Sequence, residues 1–460
     1  MLISLSLIKG AVKSAKTSVW DRIQYMLNIT SLDAVKNASF GANNVHPLYE
    51  SYCFANVPGS VLQLLTGHSA GLPQLPPSVF GNFAPDYDNV VLCFIDAFGW
   101  RFIEQFAQHP LIQRFMRDGA VSKLTSMFPA TTAAHVTTIN TGLNLAQSGV
   151  HEWFYYEPEV DAVIAPLLFS FAGDHERETL HKVKAHPAHL FPTHTLYQRL
   201  AEAGVKSHMF MPKPLIHTTY SQAVFKGAQT HGFKTLSEAL VNLSEAVLQT
   251  QTTGSAENAT GARHYFYLYF ADIDTLAHDY GPSSPQVTAQ IENFLWTFEH
   301  HFLNRVAGKA GKTLLMMVAD HGQVDTPPED TYFLNLKHPD IAESFMLSRS
   351  GAPIVPAGSP RDMFLYVKPH LLDAVQAMLR TALAGRAEVY TTQSLIAQGI
   401  FGNDISQRFI DRVGNLVVLS QPGQSVWWYE KDRFENELRG HHGGLDRAEM
   451  ETPLILFDLG

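Results

Sequence analysis

Cysteine is scarce in this chain of 460 residues, which contains only Cys53 and Cys93. Cys93 lies within the apolar run VVLCFI, where a reduced and buried thiol is expected rather than a disulfide. The composition therefore argues against a small secreted protein that is held together by disulfide bonds.

Long hydrophobic runs and long basic runs are also missing from the sequence. No apolar stretch reaches the roughly 18 residues of a membrane-spanning helix, and the opening residues MLISLSLIKG lack the basic region of a signal peptide. We therefore expect no membrane span and a cytoplasmic location. The net charge of -10 argues against a dedicated nucleic-acid surface, so an anionic substrate would need positive charge from a bound metal.

Alternating strand-like and helix-like patterns begin at Asp88. The patterns predict buried strands in DNVVLCFID, AVSKLTSMF, HYFYLYFA, KTLLMMVA and TPLILFD, and helices over 100–117, 132–140, 236–250 and 285–306. Since such alternation is typical of crossover connections, it predicts an α/β fold with a largely parallel central sheet flanked by helices. The polar segment TQTTGSAENATGARH is predicted to be an exposed loop.

The chain is predicted to contain an N-terminal extension and one large catalytic domain. Residues 1–85 lack the regular alternation, and we expect them to pack on the core. The catalytic domain is predicted over 86–460. Because its polar motifs at 320–321 and 442 are too far apart for a single crossover, we predict an inserted α+β cap at about 325–438.

Residues of metal-ligand type follow several of the apolar runs. They are Asp96, Thr132, Asp274, His278, Asp320, His321 and His442. The carboxyl ends of the strands in an open α/β sheet form the usual ligand-binding edge. Each residue alone is a weak signal, but their joint occurrence predicts a centre for two divalent metal ions. Carboxylate and imidazole ligands favour Zn²⁺, with Mn²⁺ or Fe as alternatives.

Thr132 is the candidate nucleophile. The preceding Pro129 and the following Gly142 place it in the first turn of a predicted helix, whose N–H groups favour phosphoryl oxygens. A threonine hydroxyl needs activation before it attacks, and metal coordination would provide it. From the residues alone, Thr131 or Thr132 could instead serve only as the N-cap of that helix.

Five motifs together resemble the type I phosphodiesterase / nucleotide pyrophosphatase family of the alkaline phosphatase superfamily. They are CFIDAFGW, FPATTAAHVTTINTG, DIDTLAHDYGP, VADHG and GHHGGLDRAEMETPLILF, and they cover about 88–460. The resemblance implies an alkaline-phosphatase-like core with two metals. One metal would be bound by Asp274, His278 and His442. The second would be bound by Asp96, Asp320 and His321.

The resemblance also implies that Thr132 bridges the two metals as nucleophile and forms a phosphothreonyl intermediate. Thr132 is favoured over Thr131 because the family's nucleophile usually lies ten residues before the glycine of a TG pair, here Gly142. His442 is favoured over His441 because the last ligand of the family directly precedes a glycine.

Three further residues are predicted to contact the substrate. His135 occupies a position where the family commonly has a phosphate-binding Asn. Trp153 and Tyr155, in the segment HEWFYYEP, could stack on a nucleobase or line the mouth of the pocket. An aromatic run is more often part of a hydrophobic core, however.

The predicted activity is the metal-dependent hydrolysis of phosphodiester or pyrophosphate bonds in a small-molecule phosphoester. A phosphomonoesterase or phosphonate hydrolase on the same core is one alternative, and a catalytically silent metal-binding protein is another. A sulfatase is disfavoured because the sequence has no C/S-x-P-x-R motif.

Overall fold

The structure, a computed structural model, describes residues 27–252 and 262–460. The beginning of the predicted N-terminal extension and most of the predicted loop TQTTGSAENATGARH therefore lie outside the described residues. Among the helices in these two ranges, none combines the length and the hydrophobicity needed to cross a membrane.

A seven-stranded sheet forms the centre of the protein. Its strands are Asn89–Ile95 (β1), Ala120–Thr125 (β2), Lys206–Pro212 (β3), Gln229–Phe233 (β4), His264–Phe270 (β5), Thr313–Val318 (β6) and Glu451–Asp458 (β7). They lie in the order β2-β7-β6-β1-β5-β3-β4. Strand β7 is antiparallel to both of its neighbours, whereas the other pairs are parallel. The prediction of a largely parallel central sheet is confirmed.

Both faces of this sheet are covered by helices. Along β1, Val91, Cys93 and Ile95 enter one hydrophobic cluster, while the alternate residues enter another. The first face packs against helices Trp100–Gln105, Pro110–Asp118, Leu236–Thr252, Asp272–Tyr280 and Pro285–Phe298, and the second against Val57–Thr66, Thr132–Thr141, Leu196–Glu202 and Thr219–Val224. Cys53 and Cys93 are both buried and free, as the apolar context of Cys93 predicts.

Two local predictions differ from the structure. The helix predicted over 100–117 is interrupted, because Pro110 begins a second helix with His109 as its cap. Residues 27–85, where no regular pattern was recognised, contain helices Ile29–Asn37 and Val57–Thr66. Most residues of Val57–Thr66 are buried, so this helix is apolar on nearly all sides and lacks the amphipathic period of a surface helix.

A second, smaller sheet lies within 325–438, in the segment between β6 and β7, and we call residues 325–438 the cap. Its four strands, in spatial order, are Ala357–Gly358, Asp362–Leu365, Leu416–Ser420 and Ala387–Thr391, and they are antiparallel. Helix Leu372–Ala382 contributes Val375 and Leu379 to a separate hydrophobic cluster with these strands. Leu334–Lys337, Thr392–Ala397 and Gln407–Arg412 are shorter helices of the cap, whereas the short helices Leu145–Ser148, Pro187–Leu190 and Arg447–Met450 lie outside it. The cap is therefore an α+β unit with its own core.

Candidate active site

Two buried carboxylates lie at the carboxyl ends of neighbouring central strands. Asp96 directly follows β1, and its Oδ2 accepts a hydrogen bond from the Tyr269 hydroxyl at 2.5 Å. Asp320 follows β6, and its Oδ1 accepts from the backbone N–H groups of Ala97 at 3.1 Å and His321 at 2.9 Å. The second oxygens, Asp96 Oδ1 and Asp320 Oδ2, are buried without a hydrogen-bond partner. Each carboxylate thus keeps one oxygen available for a cation.

Three histidines are held in the same tautomer. The Nδ1 atoms of His278, His321 and His442 lie 2.7, 3.1 and 2.8 Å from the carbonyl oxygens of Gly440, Gly322 and Ala130. Since a carbonyl oxygen only accepts, each Nδ1 carries the proton and donates it to that oxygen. Each Nε2 therefore keeps its lone pair, which is the arrangement of a metal-binding imidazole.

The predicted ligand atoms converge. His321 Nε2 lies 3.2 Å from Asp320 Oδ2 and 3.6 Å from Asp96 Oδ1. Asp274 Oδ1 lies 3.7 Å from His442 Nε2, and its Oδ2 lies 3.5 Å from His278 Nε2.

In two groups of three residues, all the ligand atoms lie within 4.8 Å of one another. One group is Asp96, Asp320 and His321, and the other is Asp274, His321 and His442. His321 belongs to both groups. His278 falls outside these groups, although its Nε2 lies 3.5 Å from Asp274 Oδ2.

Thr132 lies where these groups meet. Its Oγ1 is 3.2 Å from His321 Nε2, and it is the first residue of helix Thr132–Thr141. Thr131 occupies the N-cap position, but its side chain makes no capping hydrogen bond. Of the two threonines, Thr132 therefore presents its hydroxyl to the ligand atoms.

Burial shifts the pKa values of the site residues toward their neutral forms. Burial, reinforced by the charges of Asp320 and Asp274, raises the pKa of Asp96 well above its usual range. Burial also raises the pKa of Asp320 to about 7 and lowers the pKa values of His321 and His442 well below the usual range. Because neutral imidazoles cannot balance the carboxylates, divalent cations would stabilise their charged forms. The carboxylate and imidazole donors fit two divalent metal ions.

Several supporting residues were not recognised in the sequence. Gln323 Nε2 donates to Asp274 Oδ1 at 2.5 Å and to its backbone oxygen at 3.2 Å, which fixes the carboxylate. The Tyr269 hydroxyl fixes the carboxylate of Asp96 in the same way, by donating to its Oδ2. The Thr326 hydroxyl lies 2.5 Å from Nδ1 of His441. Gln323 stands directly after the ADHG motif, and that closeness was the only sequence signal for any of them.

Two cavities meet at Thr132. The larger, of about 450 Å³, is bordered by Thr132, Asp274, His278 and His442 from the core and by Trp153, Phe154, Trp427 and Phe434, among others. The smaller, of about 260 Å³, is bordered by Asp96, Thr132 and Asp274 together with apolar side chains that include Leu167, Met211 and Phe225. Trp153, like Thr132, borders both cavities.

His135 and Tyr155, two of the predicted substrate contacts, border neither of these cavities. His135 is completely buried, and both of its ring nitrogens bond to protein groups. Tyr155 is also completely buried, stacked on His151 with the ring centroids 4.9 Å apart. The guanidinium of Arg412 lies 5.1 Å from the centre of its ring. The structure thus places both residues in the core.

The largely parallel sheet carries convergent carboxylates and histidines, which is the arrangement that the sequence resemblance implies. A profile of the type I phosphodiesterase / nucleotide pyrophosphatase family matches residues 90–445. The chain belongs to this family, and it is a phosphoric ester hydrolase. The motifs quoted from the sequence are thereby confirmed as those of this family.

Solved structures of related proteins support the fold. The murine ectonucleotide pyrophosphatase/phosphodiesterase 5 is 18% identical with a TM-score of 0.54, and the match covers 80% of this chain and 87% of that one. An inactive variant of the murine protein, in complex with AMP, gives the same values. The human protein is 16% identical with a TM-score of 0.55 over the same shares of the two chains. A search of curated protein sequences found no match.

Proposed function

We propose that this chain hydrolyses phosphodiester or pyrophosphate bonds of a small-molecule substrate, with two divalent metals and a phosphothreonyl intermediate at Thr132. Zn²⁺ is the metal that we propose for both positions, because the donors are a mixture of carboxylates and imidazoles. The observation that carries the proposal is the 3.2 Å contact between Thr132 Oγ1 and His321 Nε2. The same ring nitrogen lies 3.6 Å from Asp96 Oδ1 and 3.2 Å from Asp320 Oδ2, two oxygens without a hydrogen-bond partner.

The proposed reaction has two steps. When bound, the divalent ions would lower the pKa of a coordinated hydroxyl and balance the charge of the phosphoryl group. The Thr132 oxygen attacks phosphorus, loses its proton to solvent and displaces the leaving oxygen, which takes up a proton. Water then cleaves the phosphothreonyl ester and restores the hydroxyl. The first N–H groups of helix Thr132–Thr141 lack helical acceptors and favour the anionic phosphoryl oxygens.

The two cavities favour a diester over a monoester. A diester carries two substituents, and cavities of about 450 Å³ and about 260 Å³ both border Thr132. Within the described residues, the Lys and Arg side chains that border them are Arg433 and Arg177. Arg433 already pairs with Glu430 at 2.7 Å, so of these two guanidinium groups only that of Arg177 remains for a terminal phosphate.

The test is a comparison of initial rates on bis-p-nitrophenyl phosphate, p-nitrophenyl phosphate and the p-nitrophenyl ester of thymidine monophosphate. We expect the zinc-loaded protein to hydrolyse the two diesters faster than the monoester. Thr132→Ala should lower kcat by at least about 10³-fold, because an attacking group is lost. Intact-mass measurement after an acid quench should show a phosphoryl adduct in the wild type and none in Thr132→Ala.

Thr132→Ser is the matched control, because it keeps a hydroxyl at the same position and should retain measurable turnover. Diester hydrolysis at the wild-type rate by Thr132→Ala would refute the role of this residue as nucleophile. A clear preference for the monoester would instead support the phosphomonoesterase alternative. If the protein carried two metals and turned over none of the three substrates, a narrow untested substrate or a binding role would be favoured.

A further inference from the structure

Three histidines lie side by side on the central sheet, away from the candidate active site. His208 belongs to β3, His231 to the neighbouring β4 and His264 to β5. His208 Nε2 is 3.1 Å from His264 Nδ1, and His208 Nδ1 is 3.4 Å from His231 Nε2. His264 is the first residue of β5, whereas Asp274 follows the carboxyl end of that strand. The row of histidines is therefore separate from the predicted metal ligands.

Aromatic stacking holds the three rings in place. His208 stacks on Phe266 with the ring centroids 4.9 Å apart, and His231 stacks on Phe210 at 4.7 Å. His208 also stacks on His264 at 5.3 Å. In each of these pairs the ring planes differ by 15°. Because the rings are already oriented, little side-chain freedom remains to be lost when a ligand binds.

The three imidazoles are neutral at pH 7. Burial lowers the pKa of His208 to about 4, and the charges of His264, His231 and Lys206 lower it further. Burial also lowers the pKa values of His231 and His264. A neutral imidazole has one N–H group and one nitrogen with a free lone pair, so each ring keeps an atom that can bind a metal ion.

His208 occupies the central position of the row and has a single proton to share. When its Nε2–H donates to His264 Nδ1, the lone pair of its Nδ1 faces His231 Nε2. A metal-binding histidine usually donates its other N–H to an acceptor in this way. Two nitrogens that lie 2.0–2.1 Å from one ion are about 2.8–3.4 Å apart, as the angle widens from 90° to tetrahedral. The 3.4 Å between His208 Nδ1 and His231 Nε2 corresponds to a tetrahedral ion.

A cation fits better between His208 and His231 than between His208 and His264. Lys206 lies directly opposite His264 in the register of β3 and β5, and its positive charge lowers the pKa of His264. Burial alone accounts for the lowered pKa of His231. The repulsion from Lys206 therefore acts mainly on the side of the row that carries His264.

We propose that His208 and His231 bind a late first-row transition metal ion, of the zinc or copper type, at the edge of the central sheet. Imidazole is a preferred ligand of these ions. The side chains of both histidines are half-buried, so waters complete the coordination. His231 and His264 contact opposite nitrogens of His208, which means that the three rings cannot share one ion. His264 is a positioning residue that accepts the proton of His208.

The ion would connect the last two strands of the sheet. Strand β4 lies at the end of the strand order, next to β3. An ion between His208 and His231 would join these strands through their side chains, in addition to their backbone hydrogen bonds. Because an ion that binds only the folded protein stabilises it, the edge of the sheet should become harder to unfold. This role is independent of the proposed hydrolysis.

The test is a titration of the zinc-loaded protein with Cu²⁺, the ion of this series with the highest affinity for such ligands. We expect one copper ion per chain, no release of zinc, coupling to two nitrogens in the electron paramagnetic resonance spectrum, and a higher midpoint of thermal unfolding. His208→Gln and His231→Gln should each weaken copper binding at least about tenfold. His264→Gln keeps an acceptor for His208 and should weaken binding less. His175→Gln, at an exposed position, is the control and should bind copper as the wild type does.

Four results would overturn this site. One is a wild-type protein that takes up no copper, and another is copper uptake that releases an equal amount of zinc, because the ion would then occupy the paired site. A third is copper binding that is lost in His264→Gln but kept in His231→Gln. The fourth is coupling to a single nitrogen, which is measured on the wild type and so does not depend on the folding of any variant. Since bound ions are counted and not turnover, failure of the proposed hydrolysis would leave the result interpretable.

Discussion

His135 lies one helical turn beyond Thr132 and connects helix Thr132–Thr141 to the segment before it. Its Nε2 accepts the N–H of Met127 at 3.1 Å and lies 2.8 Å from the Ser126 hydroxyl. Because Nε2 is an acceptor, Nδ1 carries the proton, and it donates to the carbonyl oxygen of Thr131 at 2.7 Å. The imidazole therefore fixes the backbone that leads into the helix.

The burial of His135 makes a pH-dependent contribution to stability. Burial lowers its pKa from 6.5 to about 3, so between these values the unfolded chain binds a proton that the folded protein does not. The free energy of unfolding should therefore fall as the pH decreases through this window, by up to about 1.4 kcal/mol per pH unit from this group. Denaturant unfolding of His135→Gln at several pH values from about 4 to 6 should show a shallower slope than the wild type.

The exposed His175 provides the control for this measurement. His175→Gln should keep the wild-type slope, because that side chain is exposed in the folded protein. His151 has a pKa lowered to about 3 by burial as well, so a residual slope is expected in His135→Gln. An unchanged slope in this variant would show that His135 is not buried in its neutral form.

The loop after β6 shows why a glycine follows His321. A Cβ atom on Gly322 would lie 2.1 Å from the backbone oxygen of Ala448 and 3.3 Å from the Cα of Gly99. The N–H of Gly322 also donates to the carbonyl oxygen of Glu449 at 2.8 Å. Three backbone segments thus meet at a position with no room for a side chain, and this contact sets the position of His321.

Gly322→Ala should therefore damage both stability and metal binding. Overpacking against backbone atoms, which cannot rotate away, should cost about 1–3 kcal/mol or more in the free energy of unfolding. The shift of His321 should also weaken zinc binding, because its Nε2 contacts both Asp96 and Asp320. Calorimetric unfolding and zinc titration measure the two effects.

Gly385→Ala separates steric overlap from backbone strain. Gly385 has a φ of +78°, and a Cβ atom added there would meet no other atom within 4 Å, so alanine should cost only about 1–2 kcal/mol of left-handed strain. Zinc binding by this variant should equal that of the wild type. If Gly322→Ala bound zinc as tightly as Gly385→Ala does, the loop would not be setting the position of His321.

At the level of elements, the sequence predicted the features that depend on the order of apolar and polar residues along the chain. The apolar runs that become β1 and β6 end at Asp96 and Asp320, and parallel packing brings such ends to one edge. The helix Val57–Thr66 was missed because it is buried on nearly all sides and shows no amphipathic period. The support that Gln323 gives to Asp274 was missed because it depends on a contact between residues 49 positions apart.

At the level of the whole molecule, the cap and the core share a cavity wall and buried ion pairs, which include Arg361–Glu449 and Arg412–Glu157. Arg361 of the cap pairs with Glu449 at 2.8 Å, with both side chains 0% exposed. Trp427 and Phe434 face Thr132 and Asp274 across the 450 Å³ cavity. No signal in the sequence pointed to these contacts, because they depend on how residues distant in the chain pack. Breaking such a pair by removing one partner is strongly destabilising, so the junction is well specified.

Metal binding should make the stability of the whole molecule depend on pH in a defined direction. In the metal-free protein, burial raises the pKa of Asp320 from 3.8 to about 7, so the folded state retains a proton that the unfolded chain releases. The metal-free protein should therefore lose this contribution as the pH rises from about 4 to about 7. Bound zinc stabilises the charged carboxylates and removes the loss.

The gain in the midpoint of thermal unfolding on adding zinc should consequently be larger at about pH 8 than at about pH 5, because binding at the lower pH must displace protons. Asp320→Asn is the informative variant, since it has no carboxyl proton to release and should show a smaller gain with less dependence on pH. Asp340→Asn, on the exposed surface of the cap, should behave as the wild type. Equal zinc-induced gains at both pH values in the wild type would contradict the assignment of Asp320 as a buried carboxylate that binds metal.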